Sequence, residues 1–125
     1  MDRSRTVFQG DWAEQRALRL LRCRGWSLLS RQWRCRWGEL DLVLAKPGRL
    51  LVVEVKGRRP ASRDGDGRAA LRGDKRRRLA RAWDCWLAEH PQWAGLPVEL
   101  VAALVPLPGA GGTPERPVRW IRLEV

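Results

Sequence analysis

The segment over residues 38–59 constrains the fold of this chain more than any other. It contains two aliphatic runs, residues 39–45 and 50–56, joined by Pro47 and Gly48. Aliphatic and β-branched residues favour strands, and a Pro-Gly pair is typical of a tight turn. The segment therefore predicts a β-hairpin.

Both predicted strands carry charged residues where a buried strand is expected to be apolar. Glu39 and Asp41 lie in the first strand, and Glu54 and Lys56 lie in the second. Side chains alternate between the two faces of a strand, so each pair shares a face and the leucines of the first strand occupy the other. If residues 46–49 form a four-residue turn, Asp41 lies opposite Glu54 and Glu39 opposite Lys56. Like charges opposed in this way destabilise a sheet, so the carboxylates need a third partner.

A divalent metal ion would supply that partner. Mg²⁺ or Mn²⁺ binds carboxylate oxygens and water, so Asp41 and Glu54 are candidate metal ligands. Lys56 would then lie beside the metal, where it could polarise an attacking water or stabilise charge on a phosphoryl oxygen. The alternative is a solvated face with ordinary ion pairs. Leu50 and Val52 share the face of Glu54 and favour a partly buried site over that alternative.

The chain has 125 residues, enough for one domain with a single core. Its formal net charge is +11, and an excess of Lys and Arg this large in a small domain is typical of proteins that bind nucleic acid. The alternative is an arginine-rich composition without a polyanionic partner. We expect a single domain over 1–125, with an arginine- and glycine-rich loop over 57–73 and a flexible loop over 106–117.

The histidine and cysteine content excludes several chemistries. His90 is the single histidine, and Cys23, Cys35 and Cys85 form no Cys-x-x-Cys pair. Catalytic triads with histidine, zinc knuckles and disulfide frameworks are therefore not indicated. The sequence also lacks a signal-peptide pattern and an apolar run of the ~20 residues that a membrane span needs. These features predict a cytoplasmic protein without a membrane partner.

Two helices and two further strands are predicted around the hairpin. Residues 11–24 form an amphipathic helix that ends at Gly25, with Glu14 on the flank of its apolar stripe. A second helix follows Asp74, and strands are expected over 98–105 and 118–125. The order of helix, strands, helix and strands predicts an α/β fold, with a central mixed sheet flanked by helices.

The first turn of the second helix is a cluster of Lys75, Arg76, Arg77 and Arg78. Cations at a helix N-terminus oppose the helix dipole, so an anionic partner would relieve an unfavourable interaction there. A solvated charge run is an equally good explanation of this cluster.

Four segments carry a resemblance to known proteins: "GDWAEQRALRLL" (10–21), "GELDLVL" (38–44), "VVEVKGRR" (52–59), and Lys75 with "LARAWDCWL" (79–87). The carboxylates and lysine resemble the PD-(D/E)xK nuclease pattern. More closely, the chain resembles the YraN-like family of uncharacterised bacterial proteins, which are predicted endonucleases distantly similar to archaeal Holliday-junction resolvases. The resemblance implies a restriction-endonuclease-like fold.

Residue roles follow from this resemblance. It implies Asp41 and Glu54 as metal ligands, Lys56 as the catalytic lysine and Glu14 as the carboxylate that completes the site. Glu39 matches the family motif as an accessory residue, and a salt bridge with Lys56 is one role for it. Near the C-terminal strand the family usually shows Arg-Phe-Asp, where this chain has "VELV" (98–101).

These observations predict a nucleic-acid-binding protein that acts as a magnesium-dependent endonuclease on DNA, including branched DNA. The residues expected to bind nucleic acid are Arg58, Arg59, Arg68, Arg72, Lys75, Arg76 and Arg77. Alternatives are a non-catalytic nucleic-acid-binding module and a protein-interaction module that uses some of the eight tryptophans. Trp83 and Trp86 are expected in the core, whereas Trp37 fits either the core or a stacking surface for bases. RNA remains an alternative to DNA, and a branched substrate would favour a homodimer.

Overall fold

The computed structural model describes residues 3–59, 73–108 and 116–124, with side chains from Gly10 onward. The helices and strands in chain order are α1 (Arg3–Cys23), β1 (Ser27–Cys35), β2 (Gly38–Lys46), β3 (Arg49–Arg58), α2 (Gly73–Glu89), a 3₁₀ turn (Pro91–Trp93), β4 (Val98–Pro106) and β5 (Arg119–Leu123). None of the described helices is long and apolar enough to cross a membrane.

The strands form one sheet in the order β1-β2-β3-β4-β5. All neighbours are antiparallel except β3 and β4, which are parallel and have α2 between them in the chain. A parallel pair needs such a crossover connection. Helix α1 packs on one face of the sheet and α2 on the other. The predicted fold class is confirmed: an α/β fold with a mixed sheet between helices, consistent with a restriction-endonuclease-like fold.

The predicted β2–β3 hairpin is present, with its turn at Pro47 and Gly48. Gly48 has a φ of 77°, a conformation that glycine adopts without steric cost. The cross-strand pairs run from Lys46–Arg49 at the turn to Leu42–Val53. The predicted register is therefore confirmed over this part of the hairpin.

Two apolar clusters fill the spaces between the sheet and its helices. The cluster under α1 includes Ala13, Ala17, Leu18, Leu21, Leu42, Leu44, Leu51 and Val53. The cluster under α2 includes Val43, Leu50, Val52, Leu79, Ala82, Trp83 and Trp86. The strand residues alternate between the clusters because successive side chains point to opposite faces. Trp83 and Trp86 are buried as predicted, and the Trp86 indole N–H donates to Ser30 Oγ at 2.9 Å.

The alternation in β2 breaks near its beginning, so the prediction that its leucines share one face is wrong. Leu40 packs in the α2 cluster together with Val43, whereas Leu42 packs in the α1 cluster. Across from this point, Gln32 of β1 has a φ of 50°. A positive φ is uncommon outside glycine. The change of face in β2 falls where its ladder with β3 ends, at the Leu42–Val53 pair.

The predicted loops begin and end differently in the structure. Strand β3 extends to Arg58, so Gly57 and Arg58 belong to the strand, and Pro106 belongs to β4. Both strands extend because they pair in parallel along this whole length, as far as Arg58 and Pro106. Residues 60–72 and 109–115 of the two predicted loops lie outside the described residues.

Candidate functional site

The site begins where β2 and β3 stop pairing. Beyond the Leu42–Val53 pair, the backbone N–H of Val55 donates a hydrogen bond of 2.7 Å to Asp41 Oδ2. The Asp41 carboxylate therefore accepts a bond that a backbone carbonyl accepts elsewhere in the ladder. This contact holds the carboxylate between the two strands.

Asp41 is surrounded by more negative than positive charge. Burial, followed by the charge of Glu54, raises the pKa of Asp41 from its ordinary 3.8 to about 7. The hydrogen bond from Val55 lowers the pKa, while the charges of Glu14 and Glu39 raise it further. Desolvation and like charge both disfavour the ionised form of a carboxyl group. The ionised Asp41 is thus a group that a cation would stabilise.

Glu54 has a cationic partner from helix α2. Lys75 Nζ, in the first turn of α2, lies 3.2 Å from Glu54 Oε1. The Glu54 side chain is 18% exposed and that of Lys75 is 43% exposed. The basic first turn of α2 therefore contacts a carboxylate of β3. Lys75 was predicted to bind nucleic acid, and its pairing with Glu54 has no signal in the sequence.

Asp41 and Glu54 open into a groove of about 490 Å³ between the sheet and the start of α2. The groove is lined by Trp37, Gly38, Glu39, Asp41, Glu54, Asp74, Lys75, Arg76, Arg78, Leu79, Ala82 and Leu123. Glu39, Asp41 and Glu54 lie on the strand side, while the three cations and the fourth carboxylate, Asp74, come from the first two turns of α2. This separation of charge suits a ligand that carries both a cation and phosphate oxygens.

Glu14 lies on the α1 side of the sheet and has its own partners. It is 5% exposed, and its carboxylate accepts hydrogen bonds from Arg31 Nε at 2.6 Å and Gln32 Nε2 at 3.3 Å. Arg31 also binds Asp11, at 2.8 Å. Glu14 is close enough to raise the pKa of Asp41 but does not line the groove. The structure thus places Glu14 beside Asp41 in an ion pair with Arg31.

Glu39 and Lys56 are not brought together. Glu39 lines the groove and forms an ion pair of 3.7 Å with Arg34 of β1. Lys56 is exposed and does not line the groove. The predicted opposition of Glu39 and Lys56 is wrong, because the pairing of β2 with β3 ends before it reaches them.

The described part of the chain contains no group of three His, Cys, Asp or Glu side chains that could hold a metal ion. Asp41 and Glu54 provide two carboxylates, which is the number that Mg²⁺ commonly takes from a protein while it keeps several waters. Burial and the charge of Glu54 raise the pKa of Asp41, and a divalent ion between the two carboxylates would offset both effects. The donor set therefore fits a hard divalent cation that binds only two protein carboxylates.

The residues predicted to bind nucleic acid divide into three sets. Lys75 and Arg76 line the groove, and Arg76 Nη1 also donates to the carbonyl of Glu124 at 3.4 Å. Arg58, Arg59 and Arg77 are described but do not line the groove; Arg68 and Arg72 lie outside the described residues.

Sequence reasoning missed three residues: Arg31, Gln32, and Trp37 as a groove residue. The predicted basic cluster at the start of α2 included Arg78, which also lines the groove. The contacts of the three missed residues depend on packing between distant segments.

These features define an α/β protein of restriction-endonuclease-like architecture, with a carboxylate pair at the edge of a partly basic groove. The chain belongs to the uncharacterised protein family UPF0102, whose model matches residues 13–103. The resemblance to this YraN-like family is confirmed. The chain is 54% identical to a UPF0102 protein of Prochlorococcus marinus strain MIT 9303, over 93% of this chain and 89% of the relative.

Two further relatives extend this similarity to other bacteria. A UPF0102 protein of Synechococcus sp. strain CC9902 is 51% identical over 92% of each chain. A UPF0102 protein of Pseudomonas entomophila strain L48 is 37% identical over 90% of this chain and 89% of the relative. The match covers nearly the whole length in each case, so the carboxylate pair and α2 both lie within the shared region.

Proposed function

We propose that the chain binds nucleic acid and that its groove is the centre of a magnesium-dependent endonuclease that cleaves DNA phosphodiester bonds. The observation that carries this proposal is the position of Asp41, held between β2 and β3 by Val55 and beside Glu54 at the groove. The net charge of +11 supports a polyanionic substrate.

Different residues of the groove would bind the metal ion and the phosphate. Asp41 and Glu54 would hold Mg²⁺ or Mn²⁺, which when bound supplies Lewis-acid polarisation of a phosphoryl oxygen and an activated water. Lys75 and Arg76 lie in the same groove and can bind phosphate oxygens with charge-assisted hydrogen bonds. These side chains would orient the scissile bond beside the carboxylates.

Two lysines are candidates for the role of the catalytic lysine. The family resemblance assigns it to Lys56, which is exposed and outside the groove lining. Lys75 lies 3.2 Å from Glu54 and inside the groove. We propose that Lys75 shares this role, because it is the lysine that contacts a carboxylate of the site. Separate Lys56→Met and Lys75→Met variants distinguish the two assignments by their cleavage rates.

The proposal is tested by titrating Mg²⁺ and Mn²⁺ into the protein by calorimetry, followed by incubation with a labelled four-way junction and a linear duplex. We expect metal-dependent cleavage by the wild type. We also expect Asp41→Ala to remove metal binding and to lower the cleavage rate by at least about 100-fold. Asp84→Ala is a matched control, since Asp84 is an exposed carboxylate of α2 outside the groove.

Equal cleavage by wild type and Asp41→Ala would contradict the catalytic part of this proposal. DNA binding without metal uptake or cleavage by either protein would instead support the second candidate, a nucleic-acid-binding module. That candidate is favoured by the lack of a three-ligand metal site in the described residues and by the exposed position of Lys56. It predicts binding that is the same with and without Mg²⁺.

A protein-interaction role has less support. Among the described residues, the exposed large apolar side chains are Leu20 of α1 and Trp120 of β5, which lie on separate elements. Partner surfaces usually contain a contiguous apolar patch. The cytoplasmic location, the choice of DNA over RNA and a homodimer on branched DNA stay predictions from the sequence.

A further inference from the structure

The tip of the β1–β2 hairpin contacts α2 through an aromatic ring. Cys35 and Gly38 form the last pair of the hairpin, so Arg36 and Trp37 are its two turn residues. The guanidinium carbon of Arg36 lies 4.7 Å from the centroid of the Trp37 ring, and that of Arg81 in α2 lies 4.5 Å from it. One indole therefore holds two guanidinium groups that come from separate elements.

The two guanidinium groups are close together and exposed to solvent. Their carbons are no farther apart than the two ring distances together, about 9 Å, and both arginines are exposed. Among the described carboxylates, none forms an ion pair with either of them. Like charges at this separation repel each other, so an anion that binds both would be stabilised. Double-stranded DNA carries one negative charge per ~1.7 Å of its axis, so several phosphate charges fall within the span of the two arginines.

This pair of cations stands at the rim of the groove. Trp37 lines the groove together with Asp41 and Glu54. Asp41 follows Trp37 by four residues along the chain, a distance of at most roughly 13 Å at the usual rise of a strand. A nucleic-acid strand that occupies the groove would therefore bring its neighbouring phosphates to Arg36 and Arg81.

The indole ring of Trp37 also restricts the conformations of the two arginine side chains. A guanidinium group packed over an indole loses part of its conformational freedom before any ligand arrives. Its planar fork still has N–H groups available for two phosphate oxygens. Trp37 thus positions the two guanidinium groups. If Trp37 instead stacked on a base, the arginines would have to leave the ring.

We propose that Arg36, Trp37 and Arg81 form a guanidinium clamp that binds the phosphodiester backbone of DNA next to the groove. The proposal rests on the proposed function in so far as DNA is the ligand. It adds a binding site formed by the turn of the β1–β2 hairpin and the middle of α2. Of its three residues, Trp37 also lines the groove, whereas Arg36 and Arg81 do not.

The test measures binding separately from cleavage. A fluorescently labelled linear DNA duplex is titrated with the full-length protein in EDTA, by anisotropy, at several salt concentrations. The double variant Arg36→Gln/Arg81→Gln is compared with Arg19→Gln/Arg22→Gln, which removes the same charge from exposed positions of α1. We expect the clamp variant to bind about 10- to 100-fold more weakly, and its log–log salt slope to fall by about two. The α1 variant is expected to stay within about threefold of wild type.

A third variant tests the ring itself. Trp37→Leu keeps both arginines and an apolar side chain, so we expect binding to weaken by about two- to fivefold, the typical contribution of an exposed cation–π contact. Circular dichroism and thermal unfolding establish that each variant is folded.

The outcomes separate the clamp from the proposed function. Equal weakening by the clamp and α1 variants, or no effect of the clamp variant, would overturn the clamp while leaving DNA binding intact. Failure of wild type to bind any nucleic acid would overturn the proposed function. A clamp effect on an RNA of the same length but not on DNA would overturn the assignment of DNA as the ligand.

Discussion

The two ends of the β2–β3 hairpin differ in what connects the strands. At the turn end, backbone pairs continue without interruption from Lys46–Arg49 to Leu42–Val53, and aliphatic side chains are buried on both faces. At the open end, the carboxylate of Asp41 replaces a backbone acceptor and binds the N–H of Val55. The same two strands therefore form a regular ladder at one end and a charged site at the other.

The difference shows how a stable scaffold can support an unfavourable arrangement of charge. The apolar turn end stabilises the native state through burial of aliphatic side chains. The open end destabilises it at neutral pH and above, because the native state raises the pKa of Asp41 and disfavours its ionised form. Functional groups placed on rigid strands keep their geometry better than groups on loops.

The largest effect is expected at the turn end. Leu44 is completely buried in the α1 cluster, so Leu44→Ala leaves a cavity and should lower the free energy of unfolding by about 2–5 kcal/mol. Urea unfolding at constant pH measures this change. Leu20→Ala is the control, because Leu20 is 37% exposed and its truncation should cost within about 0.5 kcal/mol. A loss under about 1 kcal/mol for Leu44→Ala would show that this end is not the stable part of the hairpin.

An intermediate effect is expected at the open end, and it depends on pH. The folded-state pKa of Asp41 is raised from 3.8 to about 7, so the native state binds more protons than the unfolded state between these values. Its stabilising contribution is complete below the unfolded pKa and is lost as the pH rises through about 7. Between about pH 5 and pH 8 the wild type should lose roughly 2–3 kcal/mol relative to Asp41→Asn.

Urea unfolding of both proteins across this pH range measures the difference. Asparagine keeps an oxygen that can accept the Val55 N–H and removes the repulsion with Glu54. Asp84→Asn controls for the loss of a carboxylate at an exposed position and should follow the wild-type pH dependence. Parallel curves for wild type and Asp41→Asn would mean that the open end carries no electrostatic cost.

The smallest effect is expected at the turn itself. Gly48 has a φ of 77°, so Gly48→Ala should destabilise the hairpin by about 1 kcal/mol. Gly10 lies in α1 with open space around it, and Gly10→Ala should instead stabilise the protein by up to about 1 kcal/mol. Opposite signs in thermal unfolding are the expected result. A stabilising Gly48→Ala would show that the turn conformation does not depend on glycine.

The hairpin could be predicted from the sequence because its signals are local. The aliphatic runs and the Pro-Gly turn lie within one continuous segment, and the turn sets the register from Lys46–Arg49 to Leu42–Val53. The ladder ends one position before Asp41 and Glu54, and both side chains line the same groove, as their place next to the last pair predicts. This part of the candidate site needed no knowledge of distant segments.

The rest of the site depends on contacts between segments that are far apart in the chain. The positive φ of Gln32 and the position of Leu40 in the α2 cluster arise where β1 meets β2. The ion pair of Arg31 with Glu14 joins β1 to α1, and that of Lys75 with Glu54 joins α2 to β3. Many exposed arginines and lysines could have formed these pairs, so composition and periodicity alone do not choose among them.

The hydrogen bond between Val55 and Asp41 makes one backbone amide a natural reporter of the site. Amides in the regular ladder exchange their protons with solvent when strands separate, whereas the Val55 amide also depends on the state of a single carboxylate. Its NMR chemical shift and exchange rate are therefore linked to the proton on Asp41 and to any cation that the carboxylate binds. One backbone signal can thus follow the chemistry of the groove in the unmodified protein.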